Sequence, residues 1–205
     1  SQKIRLPSLQ GSFMYPNRMK QKLHSGSPAL GVSIMIPSPQ LVEMIGKLGF
    51  DWVLIDNQHG TWDRHSTSLA FMAARAGGSV AIPRVLSTEF TAIGRLLDEG
   101  CLGVIVPMVE SPEEAEQVAQ ACRYPPVGGR SIGASGAIAY GTDYTSNIND
   151  ELLVMVQIES KRAAEAADDD HPAAVQQSGR VAFLGAPLVP HLQFLPPHAR
   201  VRGRN

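Results

Sequence analysis

Cysteine is scarce in this chain: Cys101 and Cys122 are the only two in 205 residues. Two thiols make neither a disulfide framework nor a zinc cluster, and they fit a reducing compartment, so a cytoplasmic location is expected. No charge of one sign dominates. Lys and Arg number 18 against 19 Asp and Glu, a net charge of −1, which leaves no basic footprint for nucleic acid. No apolar run reaches the roughly 18 residues of a membrane-spanning helix. The opening SQKIRLPSLQGSF has no apolar centre of the kind a secretory signal needs. Two glycine motifs are also missing. No G-x-G-x-x-G follows the first apolar run, which weakens a dinucleotide-binding reading, and the absence of G-x-x-x-x-G-K-[ST] argues against a P-loop enzyme.

What is present is a rhythm. Hydrophobic residues make up 43% and charged residues 18%, enough apolar material for a packed domain. Apolar, β-branched runs at 31–36, 52–56, 80–85, 102–108, 152–159 and 181–186 read as strands. Between them, 40–49, 64–77, 90–100, 111–122 and 160–170 carry helical spacing or helix end signals, with Ser111 and Glu114 fitting a capping box. A short helix is expected over 17–24, and 123–147, rich in glycine and proline, reads as a long functional loop. Near-continuous apolar strands alternating with helices imply a parallel sheet buried on both faces. The fold class is therefore α/β, either an open doubly wound sheet or a (β/α)8 barrel.

In both architectures ligands bind at the carboxyl ends of the strands. The residues collected there are Asp56 followed by Asn57, Gln58 and His59 after the second strand, Arg84 on the third, and Gln157 and Glu159 on the fifth. Each also has a structural reading. Asp56 would cap a loop, His59 would be an ordinary loop histidine, Arg84 would pair with a structural carboxylate, and Glu159 would sit on a helix N-terminus. Their convergence on one rim favours function. Arginine grips a planar carboxylate, a strand-end carboxylate suits Mg2+ or Mn2+, and a histidine beside an acid moves protons near neutral pH. This set fits proton abstraction beside a carbonyl, or carbon–carbon cleavage through an enolate. No strand ends in lysine, which argues against a Schiff-base route.

The ordered segments FDWVLIDNQHG, AIPRV, LLDEGCLGVIVPMVESPEEA, RYPPVGGRSIG and VMVQIES resemble the HpcH/HpaI aldolase and citrate lyase family. The nearest subgroups are the 2,4-dihydroxyhept-2-ene-1,7-dioic acid aldolases and macrophomate synthase. The resemblance runs from about residue 17 to 162. It implies a (β/α)8 barrel of the phosphoenolpyruvate/pyruvate type, a divalent metal (Mg2+ or Mn2+, with Co2+ a third option), and pyruvate or oxaloacetate as the 2-oxo acid acting with an aldehyde. It also implies a homo-oligomer. By the same resemblance His59 is the catalytic base and Asp56 the acid orienting it. Arg84 contacts the 2-oxo acid and its enolate, Gln157 contacts substrate, and Glu159 is the first metal ligand. Asp98 would serve a neighbouring subunit's site, or is a solvated late-helix acid; Arg130 matches a recurrent loop arginine.

Two departures stand out. Gln58 occupies the place of a family glutamate. The family's second metal ligand, an aspartate after the sixth strand, has no counterpart, because Ala186, Pro187, Leu188 and Val189 follow VAFLG and no carboxylate side chain comes after them. The expected organisation is an extension over 1–28, an incomplete barrel of about six strands over 29–186, and a Pro/Arg-rich tail over 187–205 whose histidines, His191 and His198, are incidental. A full barrel typically needs near 250 residues. A gene-model error or frameshift is the favoured explanation of the abrupt change after about residue 167, and a degenerate paralogue the other. The alternative function is an impaired or inactive aldolase-fold remnant.

Overall fold

The computed structural model describes residues 14–133, 136–168 and 181–185. The tail over 187–205, the start of the extension, and the expected helix beyond residue 168 lie outside the described residues.

Six strands form one sheet: β1 (Gly31–Ile34), β2 (Trp52–Asp56), β3 (Val80–Arg84), β4 (Gly103–Val106), β5 (Leu153–Ile158) and β6 (Val181–Gly185). Their order in space is their order in sequence, and every neighbouring pair is parallel. This decides between the two architectures left open by the sequence. A doubly wound sheet reverses direction at a switch point. Right-handed crossovers that always step the same way place every helix on one side, so these are successive units of a barrel wall.

The helices are α1 (Arg18–His24), α2 (Pro39–Lys47), α3 (Arg64–Gly77), α4 (Phe90–Asp98), α5 (Pro112–Cys122), α6 (Tyr144–Glu151) and α7 (Lys161–Asp168). Their ends follow local chemistry. Ser38 caps α2 ahead of Pro39, and Gly78, with φ of 88°, closes α3. Asp63 and Ser66 form a reciprocal capping box on α3, which the sequence reading did not identify. At α5, Ser111 Oγ accepts from the Glu114 amide at 3.3 Å, while the Glu114 carboxylate reaches one residue further back, to the Glu110 amide at 2.8 Å. The expected box is thus shifted at its second half.

Strand register divides the wall into two faces. Val53, Ile55, Val104, Val106, Val154 and Val156 are fully or almost fully buried toward the helix layer, each contributing roughly 1.5–3 kcal/mol. Asp56, Arg84, Ile105 and Met155 are register partners across β2 to β5 and share the other face. A Cβ on Gly103 would come within 2.8 Å of the Ile82 side chain on that inner face. Helices α2 and α3 meet backbone to backbone, with Gly46 against Gly77.

Helix α1 closes the end of the wall from which the strands start. Asn17 Nδ2 donates to the carbonyls of Leu102 and Glu151 at 2.9 and 3.1 Å. Lys20 Nζ donates to the carbonyls of Leu152, at 2.9 Å, and Asp150. The stretch read as one long loop contains a 3-10 turn, Ala137–Tyr140, and the unexpected helix α6. Tyr140 and Tyr144 are stacked there, and the Tyr140 hydroxyl donates to the Gly100 carbonyl at 2.8 Å.

Candidate functional site

The rim of the wall is organised around Asp56. This carboxylate is almost fully buried, and it is the last residue of β2, in register with Arg84, the last residue of β3. Arg84 Nε donates to Oδ1 at 3.0 Å and Nη2 to Oδ2 at 2.5 Å. Oδ1 also accepts the backbone amides of Gln58 and His59, each at 3.1 Å. Burial alone raises the Asp56 pKa, but the Arg84 hydrogen bond and charge and the two amides together outweigh it and hold the carboxyl below its ordinary value. The acid is therefore ionised and fully occupied.

The turn after β2 is fixed from several sides. Thr67 Oγ1 donates to Asn57 Oδ1 at 2.7 Å, and the Gly60 amide donates to the Asp56 carbonyl at 2.9 Å. A Cβ at Gly60 would meet the Met35 carbonyl oxygen at 2.7 Å, so only glycine fits this crossing. The His59 side chain stands exposed at the tip of this turn. Asp56 positions His59 through its backbone amide and not through the imidazole. The resemblance implies an acid that orients the His59 base; here Asp56 bonds the His59 main chain, and the His59 side chain is exposed.

Gln157 lies two residues beyond Met155 on β5, and so on the same face as Asp56 and Arg84. Its Oε1 is buried and has no hydrogen-bond partner among the described residues, and the same is true of Gln58 Oε1. A buried amide oxygen left unpaired carries a desolvation cost of about 1–3 kcal/mol, which a bound hydroxyl or water would relieve. Glu159, one residue past β5, is exposed.

Asp98 and Arg130 are brought together, but not with the rim. Arg130 Nη2 donates to Asp98 Oδ1 at 2.7 Å, and its guanidinium lies over the Tyr124 ring, 4.5 Å from the centroid. Both line a cleft of about 410 Å3 on the helix layer, together with Arg64, Phe90, Arg95 and Glu99. Arg130 is buried; in this chain Asp98 holds its charge.

Oxygen donors suit a hard divalent ion. Among the described residues no three of His, Cys, Asp and Glu gather closely enough to hold a metal ion. Among the described residues the rim offers the exposed carboxylate of Glu159, two residues along the chain from the unpartnered Gln157 amide oxygen. That set fits Mg2+ in its usual habit of using one or two carboxylates, with substrate and water completing the shell.

A one-directional barrel wall with a carboxylate–arginine pair, a presented histidine and an amide on its carboxyl rim defines a class of barrel proteins with a polar site at the strand ends. The chain belongs to the HpcH/HpaI aldolase/citrate lyase family, whose pattern it matches over residues 32–186. It is 38% identical over 159 residues to the hydroxypyruvate/pyruvate aldolase of Deinococcus radiodurans, covering 75% of this chain and 57% of that protein. Over 158 residues it is 34% identical to the 5-keto-4-deoxy-D-glucarate aldolase of Escherichia coli, covering 76% and 62%. The crystal structure of an HpcH/HpaI aldolase from Desulfitobacterium hafniense DCB-2 superposes with a TM-score of 0.74 at 25% identity, covering 85% of this chain and 67% of that one. The chain spans about three fifths of the length of these two curated relatives. No helix among the described residues is long and apolar enough to cross a membrane.

Proposed function

We propose that the chain is a carbon–carbon lyase that cleaves or forms a 4-hydroxy-2-oxo acid through a pyruvate enolate, with oxaloacetate decarboxylation as a second entry to the same enolate. The observation that carries this reading is the shared face of Asp56, Arg84 and Gln157, with the His59 turn tied to Asp56. Asp56 engages two of the five donors of Arg84. The remaining donors suit the carboxylate of a 2-oxo acid and the oxygen that gains negative charge in the enolate. In cleavage, His59 takes the proton of the 4-hydroxyl. The O–H electrons become the aldehyde C=O bond, the C3–C4 bond breaks, and its electron pair passes to the enolate, which is then protonated at C3. Gln157 donates to or accepts from a substrate oxygen.

A divalent ion, Mg2+ or Mn2+ with Co2+ a third option, would be held through Glu159 and would supply electrostatic stabilisation of the developing enolate charge. The natural substrates are pyruvate or oxaloacetate and an aldehyde. A homo-oligomer belongs to the same reading and rests on the family resemblance alone. A cytoplasmic location belongs to the same reading and rests on the two buried free cysteines.

A second reading, a barrel without catalysis, is favoured by the lack of any gathered group of three metal-ligating side chains among the described residues. The test is incubation of the full chain with pyruvate, a short aldehyde and Mg2+ or Mn2+, with and without a chelator. Metal-dependent formation of a 4-hydroxy-2-oxo acid is expected. Its absence under every metal condition would support the second reading and overturn the first.

A further inference from the structure

Met108 is the single non-glycine residue with positive φ among the described residues, at 54°. It follows Pro107 just beyond β4, the strand between the Arg84 strand and the Gln157 strand. A side chain in this left-handed region carries a steric cost that glycine would avoid, and such strain clusters where a side chain has to be aimed. The aimed group here is apolar and 56% exposed, which no packing requirement explains.

Its surroundings point the same way. Leu86 is 64% exposed and lies two residues beyond Arg84. The Val85 amide donates to the Ile105 carbonyl at 2.9 Å, so Leu86 and Met108 stand at the tips of adjacent strands. Met35 and Ile36, 49% and 60% exposed, follow β1. Apolar side chains therefore stand exposed after β1, β3 and β4, and the polar segment Asn57-Gln58-His59 follows β2. Exposed apolar groups gathered beside a polar site mark a binding surface.

We infer that Met108, with Leu86 beside it, seats the substituent of the acceptor aldehyde and makes the chain selective for uncharged aliphatic aldehydes over short charged ones. This rests on the aldolase reading and adds to it a substrate class and a specificity-determining residue. The 2-oxo acid half is gripped by Arg84 and Gln157, and the growing or leaving aldehyde lies toward the β3–β4 tips.

The test is a competition: the full chain, pyruvate, Mg2+, and equal concentrations of pentanal and glyoxylate, with both adducts measured. The unaltered chain is expected to favour pentanal. Met108→Gly, which relieves the backbone, and Met108→Asn, which tolerates positive φ but is polar, should each lower the pentanal-to-glyoxylate product ratio by about tenfold, the scale set by one or two methylene contacts. Met108→Leu, nearly equal in volume, should keep the ratio. A ratio within twofold of the unaltered value in both Met108→Gly and Met108→Asn, with aldol products still forming, would overturn this inference and leave the aldolase reading standing. No adduct with either aldehyde from the unaltered chain would instead overturn the aldolase reading, and this inference with it.

Discussion

Arg84 grips Asp56 with two nitrogens, Nε at 3.0 Å from Oδ1 and Nη2 at 2.5 Å from Oδ2, across adjacent parallel strands. The pair has little access to water: the Arg84 side chain is 17% exposed and that of Asp56 2%. Both ends of the relationship matter. The carboxylate fixes the guanidinium plane that faces the site, and it also gathers the two amides that shape the His59 turn. Removing one partner of a buried pair leaves the other uncompensated, at a cost of about 3–5 kcal/mol.

Acid sensitivity follows from this pair. The folded Asp56 carboxyl lies below its ordinary value of 3.8, so its stabilisation is fully present above that value and is lost as pH falls through the lower folded value. Asp56→Asn should therefore destabilise the protein most at pH 6–7, and the gap to the unaltered chain should narrow below about pH 4. Denaturant unfolding of both proteins over this range checks it; a gap that is constant with pH would contradict the assignment.

The α2–α3 crossing has no room for a side chain. A Cβ at Gly46 would lie 2.8 Å from the Gly77 backbone, and rigid backbone cannot yield as a flexible side chain can. Gly46→Ala should cost about 1–3 kcal/mol despite the better helix propensity of alanine. Gly94→Ala in α4, which has open space around its Cβ position, should be neutral or stabilising by up to about 1 kcal/mol. Thermal unfolding of the two variants separates the effects.

Neither thiol should react in the folded protein. Cys101 and Cys122 are fully buried, and burial pushes both up to about 12, so the thiolate is negligible at pH 8. A colourless disulfide reagent that releases a coloured thiol should modify neither residue in native protein and both after denaturation. Rapid native modification would show that the sheet opens locally.

Much of this was legible in the sequence, for a physical reason. Strands such as Trp52–Asp56 and Gly103–Val106 are apolar on both faces, and their β-branched runs announce parallel, doubly covered strands. The strand-end rule picks out Asp56, His59, Arg84, Gln157 and Glu159 without any knowledge of register, and each stands at or just past the carboxyl end of β2, β3 or β5. The pairing of Asp56 with Arg84 was not legible, because it depends on which strands are neighbours and in what register. Helix α6 was missed because YTSNINDE is polar, and its buried residues, Tyr144 and Ile148, are only two in number. Met108 could be placed at the end of the fourth strand, but its positive φ leaves no trace in composition. The bond of Asp98 to buried Arg130, 32 residues further along the chain, is visible only in the fold.

In the proposed reaction the chemistry divides between two residues: His59 handles the proton of the 4-hydroxyl, and Arg84 faces the enolate. Oxaloacetate decarboxylation forms the enolate with no hydroxyl proton to remove, so one comparison separates the roles. The decisive measurement is the rate of 4-hydroxy-2-oxopentanoate cleavage and the metal-corrected rate of oxaloacetate decarboxylation, for the full chain, His59→Ala and Arg84→Lys. His59→Ala should lose cleavage by about 10²–10⁴-fold while decarboxylation falls far less, and Arg84→Lys should lose both by about a hundredfold or more. Equal loss of both reactions in His59→Ala, or undiminished rates in Arg84→Lys, would contradict it.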